Sequence, residues 1–206
     1  MGKVERKEKS RMDMRALILD AARKLFYEEG FEKTTIRRIA KEVDYTPGSI
    51  YSYYKDKNAI LYDLHIESFA KLLEIMKDAA PADLPPHERL LRCGEAYRKF
   101  AFEQPELYDL MFIQKCLMSM IHEHAETDPG IAAFAFIREI IADCIACGAL
   151  PPGDVDAATF AIWGMVHGLM ALAIRDRCIM IPSDHLPDLI QSAAAYLMKA
   201  ALRRPD

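Results

Sequence analysis

The sequence predicts an all-α chain, with an N-terminal three-helix unit built around a helix-turn-helix and a larger helical domain behind it. Three observations carry that expectation. Alanine, leucine, isoleucine and methionine dominate, and 206 residues include only 9 glycines, which favours helix over strand. Apolar residues recur at i, i+3, i+4 and i+7 in one segment after another. Helix punctuation separates those segments: Thr46-Pro47 and Asp128-Pro129 at starts, Gly30 and Gly148 at ends. An apolar content of 51% is enough for a sizeable helical core.

Residues 1–10 are too polar to pack and are expected to form a mobile basic arm. Residues 11–29 form the first helix, with Leu17, Ala21 and Leu25 beside Ile18, Ala22 and Phe26 on one broad apolar face. Thr34 and Thr35 are cap candidates for a second helix, whose apolar stripe is Ile36, Ile39, Ala40 and Val43. Asp44 and Tyr45 interrupt it, and aspartate is one of the few non-glycine residues that tolerates a left-handed position. Thr46-Pro47 then restarts a helix that carries the small residues Gly48 and Ser49 before Ile50, Tyr51, Ser52, Tyr53, Tyr54, Lys55 and Lys57. Small residues let a backbone approach base edges, while tyrosine hydroxyls and lysines reach phosphate oxygens. The pattern is a helix-turn-helix, and it points to double-stranded DNA.

The charge is divided to match. Residues 1–57 carry 14 Lys and Arg against 10 Asp and Glu, a net +4, and residues 58–206 carry 13 against 21, a net −8. The total of −4 therefore conceals a basic first quarter, where a phosphate-binding surface belongs. The expected division is a DNA-binding domain over 1–57 and a helical domain over 58–206.

The second domain begins with a long amphipathic helix over 58–79, which the breaker Ala80 to Pro86 terminates. A helix over 87–103 stops at Gln104-Pro105, and the apolar, methionine-rich stretch 106–124 follows. Asp128-Pro129 opens a helix reaching about Cys147, Asp154 caps another over 155–174, and Pro187 opens the last, ending near Arg203. Lys199, Arg203 and Arg204 complement the dipole of that final helix.

The N-terminal pieces resemble the DNA-binding domain of the TetR (tetracycline-repressor) family of transcriptional regulators. The resemblance lies in Ala22-Arg23-Lys24-Leu25-Phe26 through Gly30, then Thr35-Ile36-Arg37-Arg38-Ile39-Ala40, then Tyr51-Ser52-Tyr53-Tyr54-Lys55-Asp56-Lys57, in order and at the family's distances. It spans roughly the first 60 to 65 residues, the size of one small helical unit. Two departures stand in the turn, where Asp44 replaces the usual glycine and Tyr45 the usual small aliphatic residue. The resemblance implies that Thr46, Pro47, Gly48 and Ser49 meet bases, with Thr35, Arg37 and Tyr45 beside them. It implies that Tyr51, Tyr53, Lys55 and Lys57 contact phosphate.

Further along, Pro105-Glu106-Leu107-Tyr108 with Leu110-Met111-Phe112, and Trp163-Gly164-Met165-Val166-His167-Gly168-Leu169, resemble a TetR-type subgroup with a W-x-x-x-H-G segment on its penultimate helix. Gly164 and Gly168 share one helix face. Glycine costs a helix interior about 0.5–1 kcal/mol, which close packing of another helix offsets. With Ala171 and Ala194 they mark a surface for a homodimer, or for close packing inside one subunit. Trp163 and His167 lie one turn apart on the same helix. With Tyr97, Phe100, Met111, Phe112 and Phe134 they are expected to line a pocket for a small hydrophobic effector, against the alternative that all are plain core.

Other chemistries find less support. His122 and His124 are separated by roughly 200° around a helix and cannot chelate one ion from it. Cys144 and Cys147 have ligand spacing but no second pair, and there is neither a phosphate-binding loop nor a nucleophile elbow. No enzyme, no metal and no cofactor is expected. Five cysteines, an odd number, suit a reducing compartment. With no signal-like N-terminus and no uninterrupted apolar run of about 18 residues, a cytoplasmic protein without a membrane span is expected. The leading expectation is a DNA-binding regulator, a repressor released from a palindromic operator by its ligand. The alternatives are a regulator without a small-molecule effector, and a helical enzyme or carrier with an incidental helix-turn-helix.

Overall fold

In a computed structural model, which describes residues 3–113 and 118–201, every regular element is a helix. The α-helices are α1 (Lys3–Glu29), α2 (Ile36–Glu42), α3 (Pro47–Tyr51), α4 (Lys57–Ala79), α5 (Pro86–Glu103), α6 (Pro105–Ile113), α7 (Met118–Glu123), α8 (Pro129–Ala146), α9 (Val155–Ile174) and α10 (Leu186–Ala201), with a short 3-10 turn at Ala125–Thr127. Two compact units divide inside α4: one reaches Glu67 and takes in α7, and the other begins at Ser68. The division falls later than residue 57 because the first turns of α4 belong to the N-terminal core. Ile60, Leu61 and Leu64 are all fully buried there, with Ile18, Leu25, Ile39 and Ile50.

One sequence expectation changes. The polar segment 1–10 was expected to be an unstructured arm, whereas helix is described from Lys3. Lysine, arginine and glutamate are good helix formers, and α1 extends through them from its packed part. The stretch 106–124 divides into α6 and α7, with residues 114–117 outside those described.

Helix boundaries in the N-terminal unit follow local chemistry. Thr35 caps α2, its side chain accepting from the Arg38 N–H at 3.1 Å. Thr34, the other cap candidate, is buried instead, its hydroxyl donating to Gly30 O at 2.9 Å. Asp44 occupies the left-handed region (φ 58°), so the turn that usually requires glycine is made by a residue that tolerates it. Thr46 caps α3 by accepting from the Ser49 N–H at 3.2 Å, and Pro47 stands at its first position.

In the C-terminal unit, α5, α6, α8, α9 and α10 enclose a core that includes Leu72, Met76, Leu90, Phe100, Tyr108, Ile140, Ile141 and Met170. Asp128 caps α8 and Asp154 caps α9, each accepting a backbone N–H at 2.8 Å. Buried Arg89 on α5 donates to Ala80 O at 3.4 Å and to Asp143 on α8 at 3.1 Å. It thereby ties the end of α4 to two core helices. Among the described helices, α9 alone is long and apolar enough to cross a membrane by length and composition. Little of it is buried within the chain: Phe160 is 66% and Leu172 48% exposed.

Candidate nucleic-acid interface and interior cavity

The helix-turn-helix divides its side chains between support and display. Ile36, Ile39 and Ile50 are buried and hold α2 and α3 against the core. Thr35, Arg37, Tyr45, Thr46, Gly48, Tyr51 and Lys55 are exposed, while Pro47, Ser49 and Tyr53 are partly so. Nothing but the Thr46 hydroxyl, at 3.8 Å, lies within 4 Å of a Cβ built on Gly48, so another molecule can approach the backbone there. The hydroxyls of Thr46 and Ser49 are 2.9 Å apart and hydrogen-bond to each other, which orients both at the start of α3.

Neighbouring charges are partly withdrawn from solvent. Arg38 donates to Glu29 at 2.8 Å and to Glu42 at 2.9 Å, and Lys24 donates to Glu42 at 2.7 Å. These hydrogen bonds hold the Glu42 carboxyl below the ordinary carboxylate range. Arg37 and Lys55 enter no such pair among the described residues and remain available. Lys57, expected at phosphate, is engaged within the chain. Its ammonium donates to Phe31 O at 2.8 Å and to Glu32 O and Thr34 O at 3.3 Å, and lies 4.2 Å from the Phe31 ring centre. All three N–H bonds are thereby committed to the loop between α1 and α2.

Two supporting residues escaped sequence reasoning. Tyr54 is buried and donates to Asp63 on α4 at 2.9 Å, an interaction that, after burial itself, raises its phenol pKa. Arg15 pairs with the same carboxylate, stacks on the Tyr54 ring at 4.5 Å and donates to Tyr53 O at 3.3 Å. Together they join α1 and α4 to the segment after α3. Tyr54 lies in the segment 51–57 that carries the family resemblance and Arg15 in no motif, and neither position announces this contact.

The second site is a cavity of about 210 Å³ in the C-terminal unit. Aliphatic side chains of α5, α9 and α10 make most of its wall, including Leu90, Ile162, Val166, Leu169, Met170 and Met198. Of the expected pocket residues, only Tyr97 and Trp163 line it. Phe100 and Met111 are core, Phe112 packs edge-on to Phe69 of α4, and Phe134 packs edge-on to Trp163. His167 lies behind Tyr97 in a polar cluster: its Nδ1 is 2.7 Å from the Tyr108 hydroxyl and 3.2 Å from that of Tyr97. Burial lowers the His167 pKa and favours a neutral ring, while burial pushes the Tyr108 phenol up to about 12. Sequence reasoning chose mostly aromatics, whereas leucine, isoleucine and valine, with Met170 and Met198, make most of the wall. Helical spacing does not reveal which inward residues touch each other and which face a void.

The expected interface residues also separate. Ala194 is on the cavity wall. Gly164 is exposed and Gly168 and Ala171 partly so, and a Cβ on either glycine would meet nothing within 4 Å. Close packing inside the subunit therefore does not explain the two glycines.

Comparison with known proteins places both halves. Residues 18–64 match the family model "Bacterial regulatory proteins, tetR family", and residues 90–197 match "Tetracyclin repressor-like, C-terminal domain". The chain belongs to the TetR family. A relative, the HTH-type transcriptional regulator YhgD of Bacillus subtilis, is 28% identical over 164 residues, covering 73% of this chain and 79% of that protein. The fatty acid metabolism regulator protein of Bacillus subtilis is 32% identical over 73 residues, 35% of this chain and 38% of that protein. In fold, the chain is similar to the fatty acid degradation regulator FadR of Bacillus halodurans (TM-score 0.72, 19% identity, 89% of this chain and 94% of that one). This TetR-family chain is a DNA-binding transcriptional regulator, and the family's members are regulators rather than enzymes.

Proposed function

We propose that this regulator is a cytoplasmic, homodimeric repressor that leaves a palindromic operator when a small hydrophobic molecule fills the cavity between α5, α9 and α10. The observation that carries the ligand reading is that cavity: about 210 Å³ of largely aliphatic wall, in the same unit that the C-terminal half of α4 enters. An alkyl or aryl compound suits such a wall. Two of the similar proteins are named for fatty-acid metabolism and degradation, which favours an alkyl-bearing ligand. The chain would belong to the subgroup with the W-x-x-x-H-G segment, Trp163 to Gly168.

Base contacts are assigned to Thr46, Pro47, Gly48 and Ser49, with Thr35, Arg37 and Tyr45 beside them. Phosphate contacts are assigned to Tyr51, Tyr53 and Lys55. Self-association is assigned to α9 and α10, which expose Phe160, Leu172, Leu189, Tyr196 and Leu197 and carry the open face of Gly164 and Gly168. In a twofold dimer the two α3 helices enter successive major grooves about 34–36 Å apart. A ligand bound more tightly by the DNA-free arrangement shifts the population away from the operator.

Selection of bound duplexes from a random pool, followed by fluorescence anisotropy on the selected site, tests the scheme. A twofold-symmetric site, bound by a dimer and released by alkyl or aryl compounds in a saturable manner, is the expected result. Specific binding that no compound filling the cavity weakens would favour a regulator without a small-molecule effector.

A further inference from the structure

Tyr53 lies two residues beyond the end of α3, where the helix no longer supplies partners for the backbone carbonyls. Its N–H still donates to Ile50 O at 2.9 Å. Its carbonyl is taken by a residue far away in sequence: Arg15 of α1, whose Nη1 donates to it at 3.3 Å.

The guanidinium of Arg15 is itself held from two sides. Its Nη2 pairs with the Asp63 carboxylate on α4, and its central carbon lies 4.5 Å from the centre of the Tyr54 ring. The Tyr54 hydroxyl donates to the same carboxylate at 2.9 Å. The contacts form a closed circuit in which Asp63 orients both Arg15 and Tyr54. These two in turn fix successive residues of the segment after α3, one by its carbonyl and the other by its own side chain. Tyr54 is buried in this arrangement, and Tyr53 beside it stays half-exposed.

A lone carboxylate near a phosphate-binding segment would repel a polyanion, and Arg15 offsets that charge. Asp63 equally offsets Arg15, so the pair adds little attraction of its own for DNA. Its effect is on order: a segment fixed beforehand loses less conformational entropy when it binds.

We infer that Arg15 and Asp63 are positioning residues for the operator contact at Tyr53, acting on DNA affinity through that tyrosine and touching no phosphate themselves. This rests on the phosphate contact assigned to Tyr53 above, and adds the residues that hold it in place.

The test is a double-substitution cycle in the full-length protein, read by fluorescence anisotropy on a duplex that the protein selects from a random pool. Tyr53→Phe alone is expected to weaken binding at least about tenfold, the lower end for a hydrogen bond to a charged group. In an Arg15→Met background, which keeps the unbranched stem and removes the guanidinium, the same change should cost less than about threefold. Asp63→Asn keeps an acceptor for the Tyr54 hydroxyl while removing the charge that holds Arg15. It should show the same coupling to Tyr53→Phe, and it carries the cycle if Arg15→Met fails to fold. Ethylation interference reads the contact directly: Arg15→Met, or Asp63→Asn in its place, and Tyr53→Phe should relieve interference at the same phosphates, with all others keeping theirs.

A loss from Tyr53→Phe of equal size in every background would overturn the positioning role while leaving the phosphate contact intact. Relief by Arg15→Met at a phosphate that Tyr53→Phe does not affect would overturn it as well, because Arg15 would then bind DNA directly. If Tyr53→Phe alone changes neither affinity nor interference, the phosphate assignment fails and this inference fails with it.

Discussion

Replacing Lys57 by alanine separates two roles that a lysine at the start of α4 can have. In the structure the ammonium closes the loop between α1 and α2, donating to Phe31 O at 2.8 Å and to Glu32 O and Thr34 O at 3.3 Å. A hydrogen bond from a charged donor contributes about 1.5–3 kcal/mol, and the two longer ones add little. The Phe31 ring, 4.2 Å away, contributes about 0.5–1 kcal/mol more at a half-exposed site. Glu32 and Lys33 are exposed, so water can reach part of the loop once the side chain is gone, and the sum falls toward its lower end. Lys57→Ala should therefore cost about 2 kcal/mol, a fall in melting temperature of about 4–8 °C for a chain of this size. Thermal unfolding by circular dichroism, with urea titration as a second measure, would read it. Operator affinity at fixed salt should drop only as far as the loop loosens, with the salt dependence unchanged. A variant of unaltered stability that binds all DNA more weakly, with the slope of log K against log salt reduced, would refute the structural role and restore the phosphate contact.

Thr35→Ala and Thr46→Ala should each lower stability by about 1 kcal/mol through loss of a cap, and Thr46→Ala should also alter operator preference because it frees Ser49. Selection from a random duplex pool would detect the second effect. A Cβ at Gly164 meets nothing within 4 Å in its own subunit, so a Gly164→Leu monomer should keep its helix content while sedimentation shows loss of the dimer. A dimer that persists would place the interface elsewhere. Burial holds the His167 pKa below its ordinary 6.5, so the unfolded chain binds more protons. Stability should be level above that pH and decline as pH falls through it, and His167→Asn should remove this component of the decline in urea titrations between about pH 5 and 7. Arg89→Ala leaves Ala80 O without its donor and Asp143 unpaired. Because Asp143 is half-exposed, the cost should be about 2 kcal/mol by urea unfolding, below the usual range for a fully buried pair.

The DNA-binding half was legible because its signals are local. Caps, Pro47 and the left-handed Asp44 act within four residues, so the turn and the start of α3 can be read directly from the chain. Its display face follows from the same periodicity, since Ile39 and Ile50 must face inward and Arg37 and Tyr51 then face outward. What was not legible locally was the engagement of Lys57 with the loop between α1 and α2, because its three acceptors lie 23 to 26 residues away.

The larger half shows the limit of periodicity. The sequence alone determined that it is helical, where α5, α8, α9 and α10 start, and that Gly164 and Gly168 share one face. Only tertiary packing decided that Tyr97, buried in the core, also borders the cavity while Phe100, one turn along the same helix, does not. It also set His167 against Tyr108 rather than against the cavity, and Ala194 on the cavity wall. Helical spacing specifies which residues turn inward, a property of one chain segment. Whether an inward residue meets a neighbour, a hydroxyl or empty space depends on the volumes of side chains brought from several helices at once, and no single segment contains that information.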